Sequence, residues 1–536
     1  MSQTPASPLS DLTAEQWQSG HSPYLITFTV MLATFMEVLD TSIANVALPH
    51  IAGNLSAGVD ESTWVLTSYL VSNAIVLPLA GWFSSLFGRK RFYLFCVVLF
   101  TVASFLCGCA PNLSTLIFFR ILQGAGGGAM QPLAQAILIE SFPRSKRGMA
   151  MALYGMGVVI APIIGPTLGG WITDSYSWRW IFFINIPIGI FSVILTTGII
   201  KDPPYLIRKS LKSGFRIDFI GLGLIALGLG ALQIVLDKGE REDWFASSFI
   251  ITFAVICVVC LVAVVFWELK QEHPVVQLHL LAERNFATAI FLLFVLGFVL
   301  YGSTVLLPLY VQTLMGYNAL LSGMVLSPGG VIVLITMPFV GMLANKVQPR
   351  SLTVIGLAIG AFGTFQMAAF SLETDFGHIV LARCVQSASL GFLFIPLNTA
   401  AYNFLARDKF DQAAGLINLA RNIGGSVGIS FVATMLSRRA QFHQNVLVSH
   451  INEYNPGYQQ TFAQAKAALM HQGSSAYDAA VQANVFIYQS VLRQATMLSF
   501  IDCFWLLSVL FLAVIPLVFL LKKIHHGPEH DIPAGH

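Results

Sequence analysis

A chain of 536 residues in which 56% are hydrophobic and only 10% charged is not an ordinary soluble domain, where about a quarter of residues carry charge. Its formal net charge of +3 is too small to argue for nucleic acid, and the basic residues sit in short clusters between apolar runs, where orientation across a bilayer explains them. The composition is that of an all-α membrane protein that crosses the bilayer many times.

Residues 1–22 are polar, lack Lys and Arg, and run directly into an apolar segment too long for the core of a cleavable signal. Apolar runs of about 20 residues or more then appear near 24–48, 62–84, 92–110, 114–141, 148–172, 179–200, 218–237, 246–268, 286–314, 321–345, 351–371, 377–405, 413–437 and 495–521. They predict fourteen spans. The connections GRKR (88–91), PRSKR (143–147), KDPPYLIRKSLKSGFR (201–216), NKVQPR (345–350), ARDK (406–409) and KKIHH (522–526) are basic, whereas the alternate ones are nearly free of Lys and Arg. The positive-inside rule puts the basic side and both termini in the cytoplasm.

Leu48-Pro49 recurs as Leu307-Pro308, Val65-Leu66, Pro78 and Gly81 as Val325-Leu326, Pro338 and Gly341, and Arg120, Gln123 and Gly128 as Arg383, Gln386 and Gly391. Several helices repeating in order at nearly one offset predict a duplication. The expected organisation is a cytoplasmic segment 1–23, a six-helix bundle 24–200, a cytoplasmic linker 201–217, an inserted two-helix hairpin 218–270, a second six-helix bundle 286–521 and a cytoplasmic tail 522–536. A cavity between two such halves is the expected place for a transported solute.

The fourth span, LIFFRILQGAGGGAMQPLAQAILIESF, carries Arg120, and Gln123, Gly127, Gln131 and Gln135 follow it along one broad helix face. An arginine at membrane depth faces a partner or a watered cavity. In the first span Glu37 and Asp40 lie three residues apart on one face. A carboxylate there can take or release a proton as pairing and solvent access change, which is what proton coupling requires. The alternative for Asp40 is a purely structural pair with Arg120. Arg383, Arg421, Asp218 and Asp502 are read as interfacial anchors or packing pairs, and Gln123, Gln131, Gln135 and Asn398 as polar anchors of a substrate cavity. In GMGVVIAPIIGPTLGG, Gly165 and Gly169 favour close helix approach while Pro162 and Pro166 favour a kink. Cys257-x-x-Cys260 and the glycine runs 124–128 and 424–428 lie in apolar helices, so neither metal, redox, dinucleotide nor nucleophile-elbow chemistry is assigned.

LDTSIANVALP, GWFSSLFGRKR, FFRILQG and APxxGPxxGGW followed by WRWIFFINIPIG resemble the successive signatures of the major facilitator superfamily, specifically its fourteen-helix drug:proton antiporter branch. The resemblance covers nearly the whole chain. It implies two six-helix bundles plus an inserted helix pair, no enzymatic activity, no cofactor beyond the proton gradient and no metal. It makes Asp40 the embedded acid, with Glu37 nearby, and Arg120 the arginine linked to proton transfer. Gly165, Pro166, Gly169 and Gly170 become the antiporter motif, and Gly81, Gly88, Arg89 and Arg91 a gating loop in which Ser85 replaces the family's usual Asp. It further implies an inner-membrane exporter of hydrophobic or amphipathic compounds, antibiotics among them. A periplasmic membrane-fusion adaptor would dock on the loop 438–494 and lead to an outer-membrane channel. An importer or uniporter on the same fold, or a non-transporting scaffold, are the rival readings.

Overall fold

A backbone buried in hydrocarbon must satisfy its hydrogen bonds within its own segment, and only helices do so locally. The computed structural model describes residues 20–143, 146–203, 218–271, 274–344, 346–403, 405–452 and 454–522, and among them there are helices and no strands. Most of the terminal segments 1–23 and 522–536 and of the linker 201–217 lies outside the described residues.

The first half runs through α1 (Pro23–Asn54), a short α2 (Val59–Ser62), α3 (Trp64–Val76), α4 (Ala80–Phe87), α5 (Arg89–Gly108), α6 (Leu113–Gly127), α7 (Met130–Ser141), α8 (Arg147–Ser175), α9 (Trp180–Phe183) and α10 (Asn185–Ile199). An inserted pair follows, α11 (Phe219–Lys238) and α12 (Ser248–Glu268). The second half comprises α13 (Arg284–Thr313), α14 (Ala319–Leu343), α15 (Pro349–Ala368), α16 (Phe376–Tyr402), α17 (Phe410–Val448), α18 (Pro456–His471) and α19 (Ala476–Val518).

Thirteen helices among the described residues are long and apolar enough to cross a membrane. The fourteenth expected span is present as two pieces, because α6 stops at Gly127 and α7 starts at Met130. The physical reason is local. The run Gly124, Gly126, Gly127, Gly128 is a poor helix interior, and Pro132 has no N–H for the Gly128 carbonyl. The glycines are needed nonetheless: a Cβ on Gly124 would lie 2.4 Å from the Tyr69 carbonyl oxygen, and one on Gly128 2.6 Å from that of Asn73.

The stretch 438–494 is not a loop with one short helix. Instead α17 continues to Val448, α19 begins at Ala476, and α18, which lies between them in sequence, packs against α19. At 1.5 Å per residue a helix of 43 residues spans about 65 Å, roughly twice the hydrocarbon thickness. The two helices therefore stand well clear of the membrane as a helical projection. Asp502 pairs with Arg439 and His443 across its base at 2.6 and 2.7 Å, as the reading of Asp502 as a packing pair expects. Asp218 caps α11 by accepting the Gly221 amide at 2.8 Å.

The two halves meet where α8 runs along α14 and where α4 and α17 cross at the end bearing the basic connections. α12 exposes most of its surface, as a lipid-facing helix does. Its partner α11 packs on α3 and reaches α17 through the Ser426 hydroxyl on Gln233 at 3.0 Å.

Candidate functional site

The acid of α1 and the arginine of α6 are in direct contact. Arg120 Nη1 donates to Asp40 Oδ2 at 2.6 Å, and both side chains are essentially inaccessible to solvent. Gln123 Nε2 and Asn185 Nδ2 donate to the other oxygen at 3.0 and 2.7 Å. Asp40 is thus held by three donors from α6 and α10. The guanidinium also donates to the Val65 carbonyl at 3.1 Å and lies 4.2 Å from the Tyr69 ring centre. A buried pair of this kind is costly to break by removing one partner, at about 3–5 kcal/mol. Asn185 was not singled out from sequence, although one polar residue inside the apolar run WIFFINIPIG is a readable signal.

Glu37, one turn before Asp40, faces a different set. It accepts from Tyr69 and Asn73 of α3 at 3.1 and 3.2 Å, and from Gln131 of α7 at 2.7 Å. Gln131 in turn accepts from Arg421 Nη2 of α17 at 2.7 Å. An amide therefore bridges a carboxylate of one half to an arginine of the other. Arg421 Nη2 also donates to Asn418 at 2.7 Å; Asn418 donates to Gln135 at 2.5 Å, and Gln135 to Asn398 at 2.6 Å. The expected cavity anchors are therefore distributed differently. Gln123 belongs to the Asp40 cluster, while Gln131, Gln135 and Asn398 form a buried hydrogen-bonded seam between the halves, beside a small cavity that Arg421 also lines.

The wall of that cavity is built by Val158, Val159 and Ile163 of α8, Leu300 and Tyr301 of α13, and Phe394 of α16, together with Arg383 and Arg421. Its open space is about 30 Å³, enough for one or two waters, so the conformation is collapsed around it. Arg383 and Arg421, read as interfacial anchors or packing pairs, are not at the interface: both are among the most deeply buried large side chains. The duplication is preserved locally, since Arg120 donates to Gln123 and Arg383 to Gln386 at the same 2.8 Å. What differs is the counter-charge. The repeat position of Asp40 in α13 is Val299.

The helix carrying the Gly-Pro motif is one unbroken element, α8. Pro166 has no N–H to offer the Pro162 carbonyl, and the Ser42 hydroxyl of α1 donates to it instead at 3.2 Å. A Cβ on Gly165 would lie 2.3 Å from that hydroxyl, and one on Gly169 3.0 Å from Ile43. Gly170 has open space around it, with Val46 4.0 Å away.

At the basic-connection end, Gly88 adopts φ of 87° and starts α5 at Arg89. Arg89 is buried between Glu140 of α7, which it contacts closely, and Asp411 of α17, whose Oδ1 lies 2.8 Å from Nη2. Ser84 donates to the same Asp411 at 2.7 Å. Ser85 bonds only its own helix, at the Trp82 carbonyl. The acid absent from the loop is thus supplied by the opposite half. Gly81 abuts Gln412, whose Cα would lie 2.8 Å from an added Cβ; Arg91 is exposed.

Two six-helix bundles related by duplication, a buried acid–arginine pair in one, and a small cavity at their seam define a membrane transporter rather than an enzyme. The chain belongs to the Major Facilitator Superfamily, whose family model matches residues 30–429. It is 39% identical over 514 residues to the multidrug export protein EmrB of Haemophilus influenzae, covering 95% of this chain and 98% of that one. It is 37% identical to the EmrB of Escherichia coli K12, covering 94% and 96%. Among solved structures, the proton:xylose symporter XylE superposes with a TM-score of 0.59 at 14% identity, covering 94% of this chain and 96% of that one, which is a likeness of fold.

Proposed function

We propose that this protein is a proton-driven multidrug exporter that moves hydrophobic and amphipathic compounds out of the cytoplasm by alternating access, with both termini on the cytoplasmic side of the inner membrane. The observation that carries the reading is the enclosed Asp40–Arg120 pair. A carboxylate that surrenders its only cationic partner on protonation is a two-state element. When Asp40 is protonated the attraction to Arg120 is lost, and Arg120 is also tied to α3 through Val65 and Tyr69. α3 continues into α4, where Gly81 and Ser84 meet α17. Protonation at one end of this rod therefore bears on the seam at the other.

A second line of contacts supports coupling to the cavity. The Arg120 guanidinium lies on Tyr69, Tyr69 donates to Glu37, and Glu37 reaches Arg421 through Gln131. The two similar export proteins support the substrate class, and the absence of a resident cofactor follows from gradient-driven exchange. Docking of a membrane-fusion adaptor, and through it an outer-membrane channel, is assigned to the α17–α18–α19 projection. There Tyr477, Val481, Val485 and Tyr488 of α19 form an exposed stripe at helical spacing.

The test is transport by the purified protein in proteoliposomes under an imposed pH gradient. Asp40→Asn keeps the shape of the site but cannot ionise, and its amide nitrogen cannot accept the hydrogen bonds that one carboxylate oxygen takes. It is expected to bind substrate and to lose gradient-driven uptake by at least about tenfold; full transport by this variant would overturn the assignment of Asp40.

A further inference from the structure

The inserted pair belongs to neither half, yet α11 holds both. At the end away from the basic connections it grips the beginning of α3. The Lys238 amine donates to the Thr63 hydroxyl and lies 5.0 Å from the Trp64 ring centre, and Asp237 accepts from the Thr67 hydroxyl. Gly230 brings its backbone against the same helix, where an added Cβ would lie 3.5 Å from Val71 and from Ile75. The hold on the second half is lighter. Ser426 donates to Gln233 at 3.0 Å, and the Trp244 indole, just past α11, donates to the Thr434 hydroxyl of α17 at 3.1 Å. That indole is aimed by an unusual backbone: Asp243 and Trp244 adopt φ of 54° and 51°, the left-handed region that a bulky residue resists and that persists only where surrounding contacts enforce it. α17 itself packs on α4 and on the turn 77–79 at the basic-connection end, but barely on α3. α11 therefore fills the wedge where α3 and α17 diverge.

We infer that α11 and α12 travel with the first half as a strut, fastened at Asp237 and Lys238, and release Ser426 and Thr434 of α17 when the halves move. The inference rests on the alternating-access reading for that movement, though not on the direction of transport or on the proton. Rocking one bundle against the other changes the spacing of α3 and α17 at the end remote from the Gly81–Gln412 contact. A helix bonded to both cannot keep both sets of bonds. The chemistry decides which set yields. On the α3 side an ammonium and a carboxylate meet hydroxyls, and the ammonium also faces an indole; hydrogen bonds to ionised groups are roughly twice as strong as neutral ones. On the α17 side there are two neutral bonds between half-buried groups, which water replaces at little net cost. The fastening also falls on a sensitive turn. Val65, between Trp64 and Thr67, gives its carbonyl to Arg120, so the strut is anchored to the same turn of α3 as the Asp40–Arg120 pair.

The experiment ties α11 to each neighbour in turn, in the full-length protein on a cysteine-free background. Val71→Cys with Gly230→Cys links it to α3, and Gln233→Cys with Ser426→Cys links it to α17, each pair closed by a short bifunctional thiosulfonate and reopened by dithiothreitol. In proteoliposomes the α3 link is expected to leave at least about half of substrate movement, and the α17 link to cut it at least ~10-fold. Recovery on reduction shows that the loss is not misfolding. Transport that survives the α17 link, or that the α3 link stops, overturns the inference. Distances between spin labels in nanodiscs give a readout that needs no transport. Ala246 is paired with Glu61, just before α3, and separately with Arg438 of α17, all three exposed, with and without Asp411→Asn and Arg89→Gln. The 246–61 distance is expected to hold while the 246–438 distribution changes. A 246–438 distance that stays constant while the halves part, or a 246–61 distance that moves instead, overturns the inference. Distances that behave as expected in a protein that moves no compound under a gradient refute the exporter and leave the strut standing. Gradient-driven transport with the α17 link closed does the reverse.

Discussion

Removing the acid of Asp411 should unlatch the basic-connection end of the molecule. In this conformation Asp411 accepts Ser84 at 2.7 Å and Arg89 Nε at 3.2 Å, both from the other half. These contacts exist only while α4 and α17 are together, so their net worth adds to the free-energy difference between closed and open states. A hydrogen bond to a charged group contributes about 1.5–3 kcal/mol net. In Asp411→Asn the lower figure applies, because Arg89 keeps Glu140 and is not left as an unpaired buried charge. About 1.4 kcal/mol is tenfold in an equilibrium, so the variant should raise the population open at this end by roughly tenfold. Arg89→Gln should do more, since it removes the cation that sits between Glu140 and Asp411. Electron–electron distance measurements between spin labels at Arg91 and Lys346, both exposed, on a cysteine-free background report the shift. An unchanged distance distribution in both variants would refute the idea that this ion pair holds the seam, as would a larger change in Asp411→Asn than in Arg89→Gln.

Gly165→Ala should force α8 from α1, because the new Cβ falls 2.3 Å from Ser42 Oγ and 2.5 Å from its Cβ. Overpacking of this sort costs about 1–3 kcal/mol. The variant should melt at lower temperature in detergent, and Ser42→Gly should return at least half of the loss; no loss in the single variant would contradict the close approach. Val481→Glu with Val485→Glu, on the exposed stripe of α19, should abolish capture of the proposed adaptor in pull-down assays and leave pH-driven transport in proteoliposomes intact. Retained capture would move the docking surface elsewhere.

Much of this molecule was legible before any coordinates. A charged residue at membrane depth is so costly that Asp40 and Arg120 announce each other, and the spans follow from the length of apolar runs. The duplication was readable from Arg120-Gln123 and Arg383-Gln386, and its two copies make the same local hydrogen bond. Three things were not legible. Hydropathy records that residues 114–141 are apolar but not that glycines and Pro132 divide them. The polar stretch 438–494 reads as a loop because helices standing in water lose the apolar signal that marks a span. The third concerns partners distant in sequence: Asp411 reaches Arg89 across 322 positions and Arg421 reaches Gln131 across 290, and no periodicity encodes such pairs. Ser85 in place of an acid was nevertheless a cue to search for the missing charge elsewhere. The same search at Val299 would have marked Arg383 as an arginine without a counter-ion.

Asp40 is enclosed by α1, α6 and α10 and takes no part in the wall of the seam cavity. On the proposed antiport mechanism a proton and a large solute therefore use separate corridors, one through the interior of a single half and the other along the join. Because α3 and α4 tie the Asp40 site to the join, filling the join with a bulky blocker should halt proton transfer across the membrane as well. Lesions that stiffen the join should stall cargo while the acid continues to exchange with its own side of the membrane.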